Sequence, residues 1–410
     1  MIGYHAAWIV PIAGPPLRDG WVSVEGERVA AFGAGTAGPD SRRGAREIDL
    51  GRVAIMPGLV NAHTHLELSY LHDRVPAGPA FVTWIRSVLA ERRRRTDPAA
   101  PEILDAVTRG IGDALRSGTA LVGDISNTLV TFGPLAESKL AALIFREIIG
   151  FNSTAAAALV DRARQEIAAL RPTDRLRVGV AAHAPYSVAP MIFKAIRRGM
   201  DDAPFERTSV HLAESPEEVE FIGTGTGSWR ALLEEIGAWD AAWKVPRVSP
   251  VEYLDDLGFL SARTLAVHGV QASAGDLARL ASRGTTLVAC PRSNRHTGAG
   301  RPPIEQFYNS GVQVAVGTDS LASTADLNVF SELAELRALA PSVPARMLLE
   351  SATRQGARAL GFDGYGTIEP GSHAKLIAVD IPPAVDDVEE YLVSGIQPEQ
   401  VRWVGDESAT

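Results

Sequence analysis

Over residues 56–340 short apolar runs alternate with longer stretches in which apolar positions recur every three or four residues. The runs lie at 120–122, 142–145, 177–180, 209–211, 265–268, 286–289 and 312–316. Their length and β-branched content read as buried parallel strands. The stretches at 102–116, 155–170, 274–282 and 329–339 read as helices between them. Counting the strand before His63, the chain carries eight β/α alternations, which predict a (β/α)8 barrel. The pattern differs at both ends. Residues 1 to about 55 read as short strands, among them 21–24 and 29–32, punctuated by Gly and Pro. Strand character returns at 375–379. A small β domain built from both termini, flanking the barrel, is the simplest arrangement.

Composition narrows the class of protein. Across 410 residues, 46% are apolar and 22% charged, as in an ordinary soluble chain. The formal net charge of -9 argues against a nucleic-acid partner and against a polybasic membrane anchor. The N-terminus has no basic n-region, and no apolar run approaches the roughly 20 residues that span a bilayer. Cys290 is the single cysteine, so no intrachain disulfide forms. A cytoplasmic location is the expectation. Two further segments read plainly. Arg92-Arg93-Arg94-Arg95 looks like a solvated helix end. Gly223-Thr224-Gly225-Thr226-Gly227 lacks the Lys-Ser/Thr of a phosphate loop and reads as a flexible loop near the site.

The chemistry concentrates at strand ends, where a (β/α)8 barrel places its functional groups. Strand 1 ends in His63-Thr64-His65, whose i, i+2 spacing puts both imidazoles on one side of a strand. Strand 4 ends at His183 and strand 5 at His211, followed by Glu214; strand 6 ends at His268 and strand 8 at Asp319. Histidines and a carboxylate converging from successive strands read as a divalent-metal site.

The order of these motifs resembles the amidohydrolase superfamily, in the branch of cytosine, guanine and adenosine-type deaminases and triazine hydrolases. The resemblance covers nearly the whole chain, including Gly366-Thr367-Ile368-Glu369-Pro370-Gly371-Ser372. One departure is Ala374-Lys375-Leu376, where the family usually has Ala-Asp-Leu. The resemblance implies a barrel over 56–360 and a β-sandwich from 1–55 with 361–410. It implies metal ligands at His63, His65, His211 and Asp319, and proton-handling groups at Glu214 and His268, with Asp319 also accepting a proton from water. No lysine falls at the end of strand 4, so one metal ion is expected, zinc first, with iron and manganese open. His183 is implied as a substrate contact.

The segments Leu66-Glu67-Leu68-Ser69, Cys290-Pro291-Arg292-Ser293-Asn294 and Thr318-Asp319-Ser320-Leu321-Ala322-Ser323 resemble deaminases of 6-aminodeoxyfutalosine, an adenine nucleoside intermediate of menaquinone synthesis. The implied reaction is attack of metal-activated hydroxide on the ring carbon, with release of ammonia. Glu67 is a candidate for ribose hydroxyls. Arg146 and Arg292 are candidates for a substrate carboxylate, and Trp84 for an aromatic ring. Hydrolysis of another amide, ureide or chlorotriazine in the same fold is the alternative. A non-catalytic scaffold is disfavoured because each implied ligand and Glu214 are present. The partner expected is a small-molecule substrate, with no nucleic acid and no membrane; relatives in the family lead one to expect a homo-oligomer.

Overall fold

A computed structural model of the chain describes residues 1–35, 46–203 and 205–405. Residues 36–45 and 406–410, within the expected terminal β segments, lie outside the described residues. The first strands are β1 (Ile2–Ile9), β2 (Leu17–Glu25), β3 (Arg28–Ala34), β4 (Arg46–Asp49) and β5 (Val53–Pro57). Then come β6 (Leu59–Thr64), β7 (Thr119–Ser126), β8 (Ala141–Ile148), β9 (Leu176–Ala182), β10 (Thr208–Leu212), β11 (Thr264–His268), β12 (Thr286–Ala289) and β13 (Gln313–Val316). β14 (Leu376–Asp380) and β15 (Val401–Trp403) complete the order.

β6 to β9 and β10 to β13 form two four-stranded parallel sheets. Two junctions join them into a closed ring of eight. The His211 N–H donates to the His183 carbonyl at 2.8 Å, linking β10 to the end of β9. The Thr318 and Asp319 N–H groups donate to the His63 carbonyl at 3.1 and 3.0 Å, linking β13 to β6. Gly317 makes this second seam: a Cβ there would lie 2.8 Å from the Cβ and the carbonyl oxygen of His63. Barrel strands are buried along almost their whole length, as their continuous apolar runs require.

The other seven strands form one branched sheet in which β1 pairs with β2 on one side and with β4 and β5 on the other. The run Val53 to Met56, which reads in sequence as the lead-in to the histidine strand, pairs instead with β1 and β14 in this sheet. The expected boundary at residue 55 therefore falls inside a strand, and the polypeptide passes to the barrel at Gly58.

Helices cover the barrel with one apolar face each. In the helix Pro101–Arg116, Ile103, Ala106, Val107, Gly110, Ile111 and Ala114 are buried, at the spacing of one helical stripe. Proline begins this helix and Arg116 ends it, both favourable where they stand. Among the described residues no helix is long and apolar enough to cross a membrane.

Candidate active site

Side chains at the C-terminal ends of β6, β9, β10 and β11 and just beyond β13 converge. The ring centroid of His63 lies 4.9 Å from those of His65 and His211 and 5.8 Å from that of His268; His183 is 5.0 Å from His211. The Asp319 Oδ1 atom lies 3.5 Å from His65 Nε2 and 3.9 Å from His63 Nε2. Burial and the neighbouring imidazoles depress the His63 pKa well below its ordinary value, and burial lowers His65. Both are thereby held neutral, the form that ligates metal.

These residues fit a divalent cation. His63, His65 and Asp319 place ligand atoms within 4.8 Å of one another, as do His63, His211 and His268. Both ring nitrogens of His63, and His211 Nε2, are buried without a hydrogen-bond partner. Such orphaned polar atoms are costly inside a protein, and a metal ion would take the lone pair of one ring nitrogen from each imidazole.

Beside this cluster stand Glu214 and His268. Glu214 is buried, and desolvation together with the Asp319 charge pushes its pKa well above the ordinary carboxylate range. Its Oε1 lies 3.4 Å from His268 Nε2. The Asn294 amide donates to His268 Nδ1 at 3.0 Å, which leaves the imidazole proton on Nε2, 3.0 Å from His211 Nδ1 and 3.4 Å from the Glu214 carboxyl. The Ser293 hydroxyl donates to Asp319 Oδ2 at 2.6 Å and fixes that carboxylate.

Above the cluster opens a cavity of about 320 Å³ that reaches His65, His183, His211, Glu214 and Asp319. Its walls are mainly apolar, with Phe81, Trp84, Phe151, Tyr186 and Trp229 among them. The Tyr186 and Trp229 rings stack at 3.7 Å.

Residues 54–402 match the amidohydrolase family. The chain belongs to that family. As an amidohydrolase it is a hydrolytic enzyme acting on carbon–nitrogen bonds. It is 34% identical over 368 residues to the aminodeoxyfutalosine deaminase of Deinococcus radiodurans, covering 85% of this chain and 83% of that one. To a 5-methylthioadenosine/S-adenosylhomocysteine deaminase of Nitratidesulfovibrio vulgaris it is 30% identical over 376 residues, covering 89% and 80%. Its fold matches that of a zinc-bound adenosine deaminase from Xanthomonas campestris, with a TM-score of 0.81 at 28% identity, covering 98% and 90% of the two chains.

The amidohydrolase cavity does not take in every residue singled out from the sequence. His183 and Trp84 line it. Glu67 does not: its Oε2 accepts from the Ser126 hydroxyl and from the Thr128 N–H and hydroxyl. Arg146 leaves β8 toward the helices and donates to Glu166 Oε2 at 2.6 Å. Arg292 is enclosed by Glu332 and Asp326, at 2.7 and 2.9 Å. Both guanidiniums are turned from the cavity by carboxylates that need them.

Other residues stand there instead. Glu147, next to Arg146 on β8, points inward, with Oε1 3.5 Å from His211 Nε2. Asn127 donates to Glu147 Oε2 at 2.7 Å. Arg92, expected in a solvated helix end, lines the cavity and donates to Asn127 Oδ1 at 2.9 Å. The period-two side-chain alternation of β8 is the signal that separates Glu147 from Arg146. The glycine-rich stretch at 223–227 caps one helix and starts the next, Ser228–Glu235, which carries Trp229, Leu232 and Leu233 to the cavity wall.

Proposed function

We propose that this amidohydrolase is a metal-dependent deaminase of an aminated purine nucleoside, with 6-aminodeoxyfutalosine as the leading substrate. The observation that carries the reading is Glu214: a buried carboxyl of raised pKa, 3.4 Å from His268 and at the floor of an aromatic-walled cavity beside the metal-binding cluster. Hydrolysis of an exocyclic amine requires an acid that is protonated at neutral pH and can deliver one proton to the ring and, once reprotonated, a second to the amine.

In this reading His63, His65, His211 and Asp319 would hold the metal, which would activate a water at neutral pH. Asp319, oriented by Ser293, accepts a proton from the attacking water. Glu214 protonates the ring nitrogen next to the attacked carbon, takes up the hydroxyl proton of the adduct and delivers it to the departing amine, and regains its own proton from Asp319. His268 Nε2–H stabilises the developing negative charge. His183 and Trp84 contact the base. The ring gains oxygen from water and loses ammonia. The two curated relatives, named for deamination of related adenine nucleosides, support the same class.

The deciding assay follows ultraviolet absorbance and ammonia release by zinc-loaded protein. Its panel holds 6-aminodeoxyfutalosine, methylthioadenosine, S-adenosylhomocysteine, adenosine, guanine and cytosine. Turnover of 6-aminodeoxyfutalosine well above the others is expected. Preference for methylthioadenosine would move the substrate assignment, and inertness toward all the nucleosides by a metal-replete sample would overturn the deaminase reading.

A further inference from the structure

The helix Phe81–Arg93 presents a single stripe to the cavity: Phe81, Trp84, Ile85, Val88, Leu89 and Arg92. Their spacing of three or four residues puts all six on one face. The first five are apolar and the sixth is a guanidinium. Arg92 is the one arginine or lysine lining the cavity among the described residues. Its hydrogen-bonding capacity is far from spent. A guanidinium carries five N–H donors in a planar fork. One Arg92 donor reaches Asn127 Oδ1 at 2.9 Å, and Nη2 stands 3.7 Å from Glu67 Oε1, beyond hydrogen-bonding distance. Glu67 Oε2 accepts from Ser126 and from Thr128, and its Oε1 makes only this loose ion pair with Arg92.

Asn127 sets how far Arg92 lies from the chemistry. The contacts run from Arg92 to Asn127, from Asn127 to Glu147 at 2.7 Å, and from Glu147 to His211 at 3.5 Å. Arg92 is therefore separated from the predicted metal ligands by two intervening side chains. A substrate group that meets it belongs to the part of the molecule that does not react.

We propose that Arg92 is the specificity-determining residue of the cavity and binds an anionic, carboxylate-bearing substituent of the substrate. The inference rests on the nucleoside deaminase reading and deepens it. An apolar wall ending in a lone guanidinium fits a substituent that is apolar along its length and carries a carboxylate. The planar fork binds such a group in two-point fashion. A neutral substituent would desolvate the Arg92 donors that Asn127 does not take without pairing them.

The test compares a 5′-substituted adenine nucleoside bearing a carboxylate with its methyl ester, using zinc-loaded wild type, Arg92→Ala and Arg92→Lys. Both KM and kcat are measured, with calorimetric binding of the two corresponding deaminated products. The wild type is expected to favour acid over ester at least tenfold in KM. Arg92→Ala is expected to bring that ratio near one, and Arg92→Lys to restore part of it. Equal KM values for acid and ester in the wild type would overturn the subsite, as would discrimination that survives in Arg92→Ala. If the wild type turns over neither compound, the deaminase reading fails by itself. Product binding then decides the subsite: acid preference lost in Arg92→Ala upholds it, and equal binding overturns it.

Discussion

Two residues of the site hold backbone conformations that L-residues seldom adopt. His268 has φ 80° and Asp319 φ 60°. Each ends or follows a strand at the point where the chain must turn its side chain toward the cluster, and each such residue costs about 1–3 kcal/mol that surrounding contacts must offset. Asn294 and Ser293 are among those contacts. Glu214 is the sharpest residue-scale test. Glu214→Gln should retain the bound metal and lose turnover by about 10²–10⁴-fold, the usual span for a positioned acid–base group. Metal content beside steady-state kinetics checks this, and a rate within a few-fold of wild type would remove Glu214 from proton transfer. His211→Ala should lose metal and activity together. Full metal occupancy in that variant would take His211 out of the ligand set.

Single elements decide whether such residues meet. Asp124, on β7, accepts from the Leu66 N–H and from the Thr131 hydroxyl, and so ties the turn after His65 to the next strand. Burial raises its pKa from 3.8 to about 7. The stabilising contribution of this carboxyl is complete below about pH 4 and is lost as pH rises through about 7, because ionisation is penalised in the fold. Urea denaturation at pH 5 and pH 8 should show wild type losing more stability than Asp124→Asn; parallel losses would clear Asp124 of this role. The same scale explains what could be read in the sequence. His63, His65, His183, His211, His268 and Asp319 were legible because each ends or follows an apolar run, where a polar residue stands out. Glu147 was not, since only the register of β8 shows that Arg146 and Glu147 face opposite ways. Arg292 misled for a related reason. On the short helix Pro291–Thr297, Ser293 and Asn294 face the site while Arg292 faces Glu332. Arg92 was hidden among four consecutive arginines, and only its place on the helix face selects it. Val53 to Met56 carried the right strand character but joined the other sheet.

At the scale of the molecule, the eight-stranded ring closes where β13 meets β6, over Gly317. Gly317→Ala should cost about 1–3 kcal/mol, as overpacking does. Denaturant unfolding and metal content should fall together; unchanged values for both would show that the seam yields. Predicted metal ligands stand on either side of this seam, His63 and His65 before it and Asp319 after it, with more than half of the polypeptide between them. Any intermediate with an open barrel lacks the carboxylate corner of the site. Capture of an ion by these residues would thus report that the last strand has come home. During refolding in the presence of zinc and a metal-sensitive dye, uptake should trail the recovery of helical circular dichroism, and simultaneous signals would contradict this. The cation would then serve as an inspector of completed assembly, passing over chains that have made their helices and not yet their circle.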